Sequence, residues 1–159
     1  MNPADLRAML RRHVAGVAVV TTLTADGAPV GLTVNSFTSV SLDPPLVSFC
    51  VANDASARPA LQAAGRFAIT VLGADQAELA SRFAESGVDR FAGVEWLEGT
   101  DGLPRLPGGL TWLSCAKEIE HPAGDHVIVI GRVHAAESGP AEGPLLHHGG
   151  RLYGLHHAA

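Results

Sequence analysis

Cysteine is nearly absent from this chain: Cys50 and Cys115 are the two in 159 residues. Neither belongs to a CxxC pair, which leaves no disulfide framework and fits a reducing compartment. Basic charge is also scarce. Eleven Lys and Arg stand against sixteen Asp and Glu, a net −5. Nucleic acid is not expected as a main partner, because a phosphate backbone needs a basic face. A local site for a single phosphate stays open. No apolar run approaches the roughly 20 residues that span a bilayer. The opening "MNPADLRAMLRRH" has no apolar stretch after its charged start, so neither a membrane span nor a signal peptide is expected and the reading is cytoplasmic. No GxGxxG follows a strand, which excludes a Rossmann site. No GxSxG elbow supports a serine hydrolase.

What the chain does contain is apolar residues at 47% and charged residues at 17%. That balance and length describe one globular domain over 1–159, large enough to bury a core. Asn2 can cap a first helix with Pro3 in its first turn, and Leu6, Met9, Leu10 and His13 then share one face. "GVAVVTTLT", the turn "ADG" and "PVGLTVNSF" read as a hairpin, 17–23 with 29–37. A strand through Ser41 should stop at "LDPP", where two prolines remove donors. Apolar strands are expected at 46–52 and 66–72. A short helix capped by Ser56 lies between them, and a second starts at Asp75 with Glu78 at capping-box spacing. Residues 87–109 form the longest irregular stretch, of the kind that often covers a site. Two long strands, 110–122 and 125–137, and a closing segment, 143–155, complete the chain. Few helices and hairpin connections favour a mostly antiparallel, closed or nearly closed β-barrel.

The stretch "GLTVNSFTSVSLDPP" (31–45) raises a question. It has strand character yet carries Thr33, Ser36, Thr38, Ser39, Ser41 and the amide of Asn35. Such groups either meet water along an edge strand or line a polar ligand. Several blocks in order, "GLTVNSFTSVSLDPPLVSFCV", "AGRFAITVL", "DRFAGVEW", "GDHVIVIGRV" and "PLLHHGGRLYGL", resemble the short-chain flavin reductase family. These are FMN-binding split barrels that act as reductase components of two-component flavin monooxygenases. The resemblance runs from about Val14 to Leu155.

It implies that Thr33, Val34, Asn35, Ser36, Ser39, Val40 and Ser41 line a flavin, FMN or FAD. A flavin ring is a flat apolar plate whose polar edge takes N–H groups, hydroxyls and amides. The same resemblance extends the flavin contacts to Cys50, Val51 and Ala52, and places Arg82 and Phe83 near the flavin tail. Ser56, at a helix N-terminus with Arg58 two residues on, suits a phosphate. His126, in "GDH", is implied to position the nicotinamide of NADH or NADPH, and Tyr153 to lie beside it. No acid, base or nucleophile is required, since hydride transfer needs two rings held within roughly 3–3.5 Å.

The resemblance also implies a homodimer, and an oxygenase component that receives the reduced flavin. Two other readings remain at this level: a split-barrel flavoenzyme acting directly on an organic substrate, and a flavin-binding module without turnover. A metal site has little support. His121, His126, His134, His147, His148, His156 and His157 follow no zinc spacing, and neighbours such as His147 and His148 point to opposite faces of a strand.

Overall fold

The computed structural model describes residues 1–99 and 101–156; His157 lies outside them. Its centre is a seven-stranded sheet in which all pairings are antiparallel. The chain runs through β1 (Ala15–Gly16), β2 (Ala18–Leu23), β3 (Pro29–Val34), β4 (Thr38–Leu42), β5 (Pro45–Ala52) and β6 (Arg66–Val71). It continues through β7 (Leu97–Glu98), β8 (Pro104–Arg105), β9 (Thr111–Ala123), β10 (His126–Ser138), β11 (Leu145–His148) and β12 (Arg151–Gly154). The large sheet has the order β3-β2-β6-β9-β10-β5-β4. Pairs β1-β11-β12 and β7-β8 form smaller sheets. Among the described residues three short helices accompany them: α1 (Pro3–Leu10), α2 (Arg58–Ala63) and α3 (Ala77–Ala84).

Sheet curvature follows from where the apolar side chains go. Val20, Leu32, Val34, Val47, Phe49, Val51, Phe67, Ile69, Val127 and Val129 share one core, and Leu61 of α2 packs into it. Residues of β3, at one end of the strand order, and of β5, next to the other end, therefore meet inside, and the sheet rolls into a split barrel. β2 is buried on both faces, and its two threonines are satisfied there, Thr21 Oγ1 donating to Pro104 O and Thr22 Oγ1 to Arg66 O. Ala18 and Val20 point into the barrel, while Val17 and Val19 join a second core with Phe83, Phe91, Leu106 and Leu145. α3 lies so close on β3 that a Cβ at Gly31 would meet the Phe83 ring at 2.9 Å.

The expected strands are present, most with shifts of one residue; the strand expected over 29–37 stops three residues early at Val34, and the closing segment is a hairpin of two short strands. Two helix caps differ from expectation. α2 begins after Ala57, whose side chain makes no cap bond, so Ser56 does not cap it. α3 begins after Gln76 rather than Asp75. The Gln76 amide instead braces two loops, accepting from Gly73 N at 2.9 Å and donating to Pro107 O at 2.8 Å. Residues 87–109 are less irregular than their composition suggests. They hold the β7–β8 pair, and bury Phe91, Leu103 and Leu106.

α2 is tied down at both ends by charge. Arg58 Nη2 donates to Glu120 Oε2 at 3.0 Å. Lys117 Nζ donates to Leu61 O, Gln62 O and Glu120 Oε1, closing the helix C-terminus, where a cation is favoured. The Arg58 and Glu120 side chains retain 12% and 19% of their exposure. Glu120→Ala should leave two mostly buried cations without their carboxylate, though Lys117 keeps the Leu61 and Gln62 carbonyls, and cost about 3 kcal/mol, the low end of the range for breaking a buried pair. Urea denaturation of the variant against the parent reads this directly.

Candidate functional site

Two ends of the sheet, β3 and β4, share no ladder. The chain crosses between them in three residues, Asn35, Ser36 and Phe37. Phe37 packs against the barrel core. Ser36 Oγ accepts from Cys50 N at 2.9 Å, one step beyond the last β4–β5 pair, Thr38 with Ser48. A side-chain oxygen thus takes the place of a strand carbonyl, and the ladder opens there into a notch. Along β4, a register shift between Ser39 and Ser41 leaves Val40 without a partner on β5. Such a bulge frees main-chain polar groups and re-aims a side chain. Val40 is half-exposed, at 50%.

β5 alternates. Val47, Phe49 and Val51 are buried, while Leu46, Ser48, Cys50 and Ala52 are half-buried on the outer face. The partner strand continues that face, since Ala52 lies opposite His126, Cys50 opposite Ile128, and Ser48 opposite Ile130. The result is a half-open apolar surface with hydroxyls at its margin from Ser36, Thr38 and Ser41; Ser39 pairs with the inward-facing Val47 instead. That donor set and shape fit an isoalloxazine: a flat apolar contact with polar groups along one edge. Val34 and Val51 have their side chains in the core and their main chains in ladders opposite Ala18 and Val127, so neither turns a side chain to this surface.

The other expected residues divide around this surface. Thr33 Oγ1 donates to Ala80 O of α3 at 2.7 Å. Asn35 Nδ2 lies 3.2 Å from His147 Nδ1 on β11. Both line a cleft of about 290 Å³ with Val17, Ser81, Ala84 and Leu152. Arg82 commits Nε and Nη2 to the carbonyls of Arg90, Asp89 and Ala92, so Nη1 is what it retains for an anion. Phe83 is fully buried, with its ring edge-on to Phe91 at 5.0 Å; its side chain is part of the second core. Ser56 is exposed and borders a depression of about 210 Å³ with Gly31, Asp89 and Arg90. Tyr153 is 47% exposed and 6.5 Å from the His148 ring.

His126 is the first residue of β10, after the tight turn of Gly124 and Asp125. Its Nδ1 lies 2.7 Å from Asp125 Oδ1. A carboxylate only accepts, so Nδ1 carries the proton and Nε2 is the free ring nitrogen. That hydrogen bond, and then the imidazole charge, hold the Asp125 carboxyl below the usual carboxylate range. Cys115 is the opposite case, as burial pushes its thiol up to about 12; it is inert core. Among the described residues, no group of three or more His, Cys, Asp or Glu gathers to hold a metal ion. None of their helices is long and apolar enough to cross a membrane.

Sequence reasoning missed His147, which meets Asn35. It missed Arg90, which donates to Glu85 O and Gly31 O. It also missed Asn53 and Asp125, which grip the His126 turn. The adjacent "DH" was a readable signal for Asp125; the contacts of Arg90 with Gly31, Asn53 with Gly124 and His147 with Asn35 span 59, 71 and 112 residues and have no local signature.

Residues 10–156 match the family model described as flavin reductase like domain. The chain belongs to that family. Within the flavin reductase family, a probable flavin reductase of Rhizobium meliloti is 44% identical over 142 residues, covering 89% of this chain. This chain spans 46% of that relative's length. An NADH:FMN oxidoreductase of Rhodococcus erythropolis is 48% identical over 154 residues, covering 94% of this chain and 80% of the relative. The crystal structure of BorF, the flavin reductase component of a bacterial two-component tryptophan halogenase, superposes with a TM-score of 0.89 at 38% identity. That match covers 97% of this chain and 98% of BorF.

Two outcomes follow from this geometry. Ser36→Ala leaves Cys50 N without its acceptor, and should cost about 1–2 kcal/mol in stability while weakening FMN binding, read by denaturation and by flavin fluorescence titration. Asp125 should titrate lower in the parent than in His126→Ala, followed by NMR of the carboxyl carbon. The sign is set by the depressed folded value. What the contact contributes is present above the unfolded carboxyl pKa and is lost as pH falls through the folded one.

Proposed function

We propose that this chain is an NAD(P)H-dependent flavin reductase, cytoplasmic and homodimeric, that supplies reduced FMN or FAD to a partner oxygenase. The observation that carries the reading is the notch beside β5. Ser36 holds Cys50 N there, and the outer face that starts at the notch runs to His126 opposite Ala52. One surface therefore presents a flavin-like contact set and, at its end, an imidazole with a free Nε2. Membership of the flavin reductase family and the activities named for its relatives support the same reading.

When bound, the flavin accepts hydride at N5 from the nicotinamide. The protein binds and orients. The hydroxyls of Ser36 and Ser41, with the main chain of Ser39 and of the unpaired Val40, would hold the polar edge of the ring. Cys50, Ala52 and Ile128 supply apolar contact. His126 Nε2 holds the nicotinamide end, and Tyr153 lies on the pyridine-nucleotide side. Ser56 and Arg82 Nη1 remain the groups for the flavin phosphate. Dimerisation covers the outer face: Val40, Leu42 and Ile119 are exposed apolar residues on it, and α1 exposes Leu6, Met9 and Leu10 with no buried residue. Patches of this kind mark protein interfaces.

Purified protein mixed with FMN and NADH should show flavin-dependent loss of NADH absorbance, with FAD and NADPH run in parallel. Silence with both nucleotides and both flavins would remove the reductase reading. Consumption that needs an added organic substrate would favour the direct-acting flavoenzyme. His126→Ala should raise the NADH KM about five- to tenfold, the equivalent of one hydrogen bond, and leave flavin affinity nearly unchanged. An unaltered KM would remove the role of His126.

A further inference from the structure

The β5–β10 ladder ends at the pair Ala52 and His126. Past that point the chain would be free to splay, since β5 leaves toward α2 and β10 turns back into β9. Asn53 prevents this with two bonds. Its main-chain N–H donates to Asp125 O at 2.9 Å, and its side-chain Nδ2 donates to Gly124 O at 3.2 Å. Two successive carbonyls of the turn are thus held by one residue. Gly124 has φ +66°, the left-handed conformation that glycine adopts at least cost, and its peptide is the one oriented by the Asn53 amide.

The other side of β5 is held by Ser36 on Cys50 N, two residues before Ala52. Residues 50–53 are therefore hydrogen-bonded on both sides. One side carries the notch, and the end of the segment carries the turn from which His126 projects. Asp125 then fixes the imidazole through Nδ1. Asn53 sets where that turn stands; Asp125 sets how the ring faces.

We infer that Asn53 is a positioning residue for the nicotinamide side of the site, acting through the Gly124–His126 turn by its Nδ2 bond to the Gly124 carbonyl. The inference rests on the flavin reductase reading and on the place given there to His126. It explains why this position carries an amide: aspartate has the size but no donor, and would set a carboxylate against a carbonyl beside Asp125. The main-chain bond survives any substitution except proline, so an Asn53 variant tests the side-chain bond alone.

The test compares Asn53→Ala, Asn53→Asp, His126→Ala and the Asn53→Ala/His126→Ala double variant, with FMN and NADH as probes. Asn53→Ala should raise the NADH KM about three- to tenfold, as expected for one lost hydrogen bond. Its kcat at saturating NADH, its FMN affinity and its Tm should stay close to the parent's. Asn53→Asp should raise KM at least as much. The double variant should match His126→Ala, because a residue that acts through another adds nothing once that one is gone.

An unchanged KM in Asn53→Ala, with His126→Ala impaired, overturns this inference and leaves the reductase reading standing. Full additivity in the double variant, or parallel losses of FMN affinity and Tm, overturns it as well, since that is the signature of a merely structural residue. Absence of activity in the parent overturns the reductase reading instead. Hydrogen exchange then still decides the clamp: in Asn53→Ala the amide of residue 53 should exchange about tenfold faster if the turn has loosened. An unaltered rate overturns the clamp.

Discussion

Three residues carry the chain from one free edge of the sheet to the other, and the remaining architecture depends on how they do it. A seven-stranded sheet that rolls on itself must either close its last ladder or stop short of it. Here Asn35, Ser36 and Phe37 span the gap. Phe37 anchors the crossing in the core. Ser36 replaces the missing strand partner of Cys50 with a hydroxyl. Had a full ladder formed, the outer face of β5 would continue unbroken into β3 and leave no notch. The split in the barrel is thus the same feature as the candidate site.

This gives the hydroxyl-rich stretch two occupations. Thr33 and Asn35 face α3 and β11, where their polar groups meet Ala80 O and His147. They serve the packing of a helix and a hairpin on the barrel wall, and they also line the cleft found there. Ser36 closes the crossing. Ser39, Val40 and Ser41 stand on a bulged edge strand where a partner chain or a ligand can meet them. An alternating strand places its side chains on two faces, so one segment can supply a structural face and a ligand face at once.

Arginine shows the same competition. Arg82 and Arg90 look like anion ligands in a chain poor in cations. The fold uses half of their N–H donors on main-chain carbonyls, Arg82 on residues 89–92 and Arg90 on Glu85 and Gly31. Buried or half-buried carbonyls in a long connection need donors, and a guanidinium supplies several in one plane. That is why the segment 87–109, rich in glycine and proline, is held against α3 and β3 with Phe91 beneath it.

The amino-acid sequence by itself determined the strand succession, because β-branched runs bounded by Gly, Pro and Asp fix element type locally. It also carried the family blocks, and with them "NSF", "CVA" and "GDH". Helix starts were less legible: a serine at 56 and an aspartate at 75 look like caps, yet the cap is set by where tertiary packing lets the first turn begin, here at Ala57 and Gln76. Only the tertiary structure decided that Val34, Val51 and Phe83 turn their side chains inward. It alone paired Asn35 with His147, and brought Asn53 to the carbonyls of Gly124 and Asp125. Those contacts join residues 71 or more positions apart. The spacing of residues along a chain encodes the period of a strand or helix, but says nothing of which distant turn a closing barrel will bring against it.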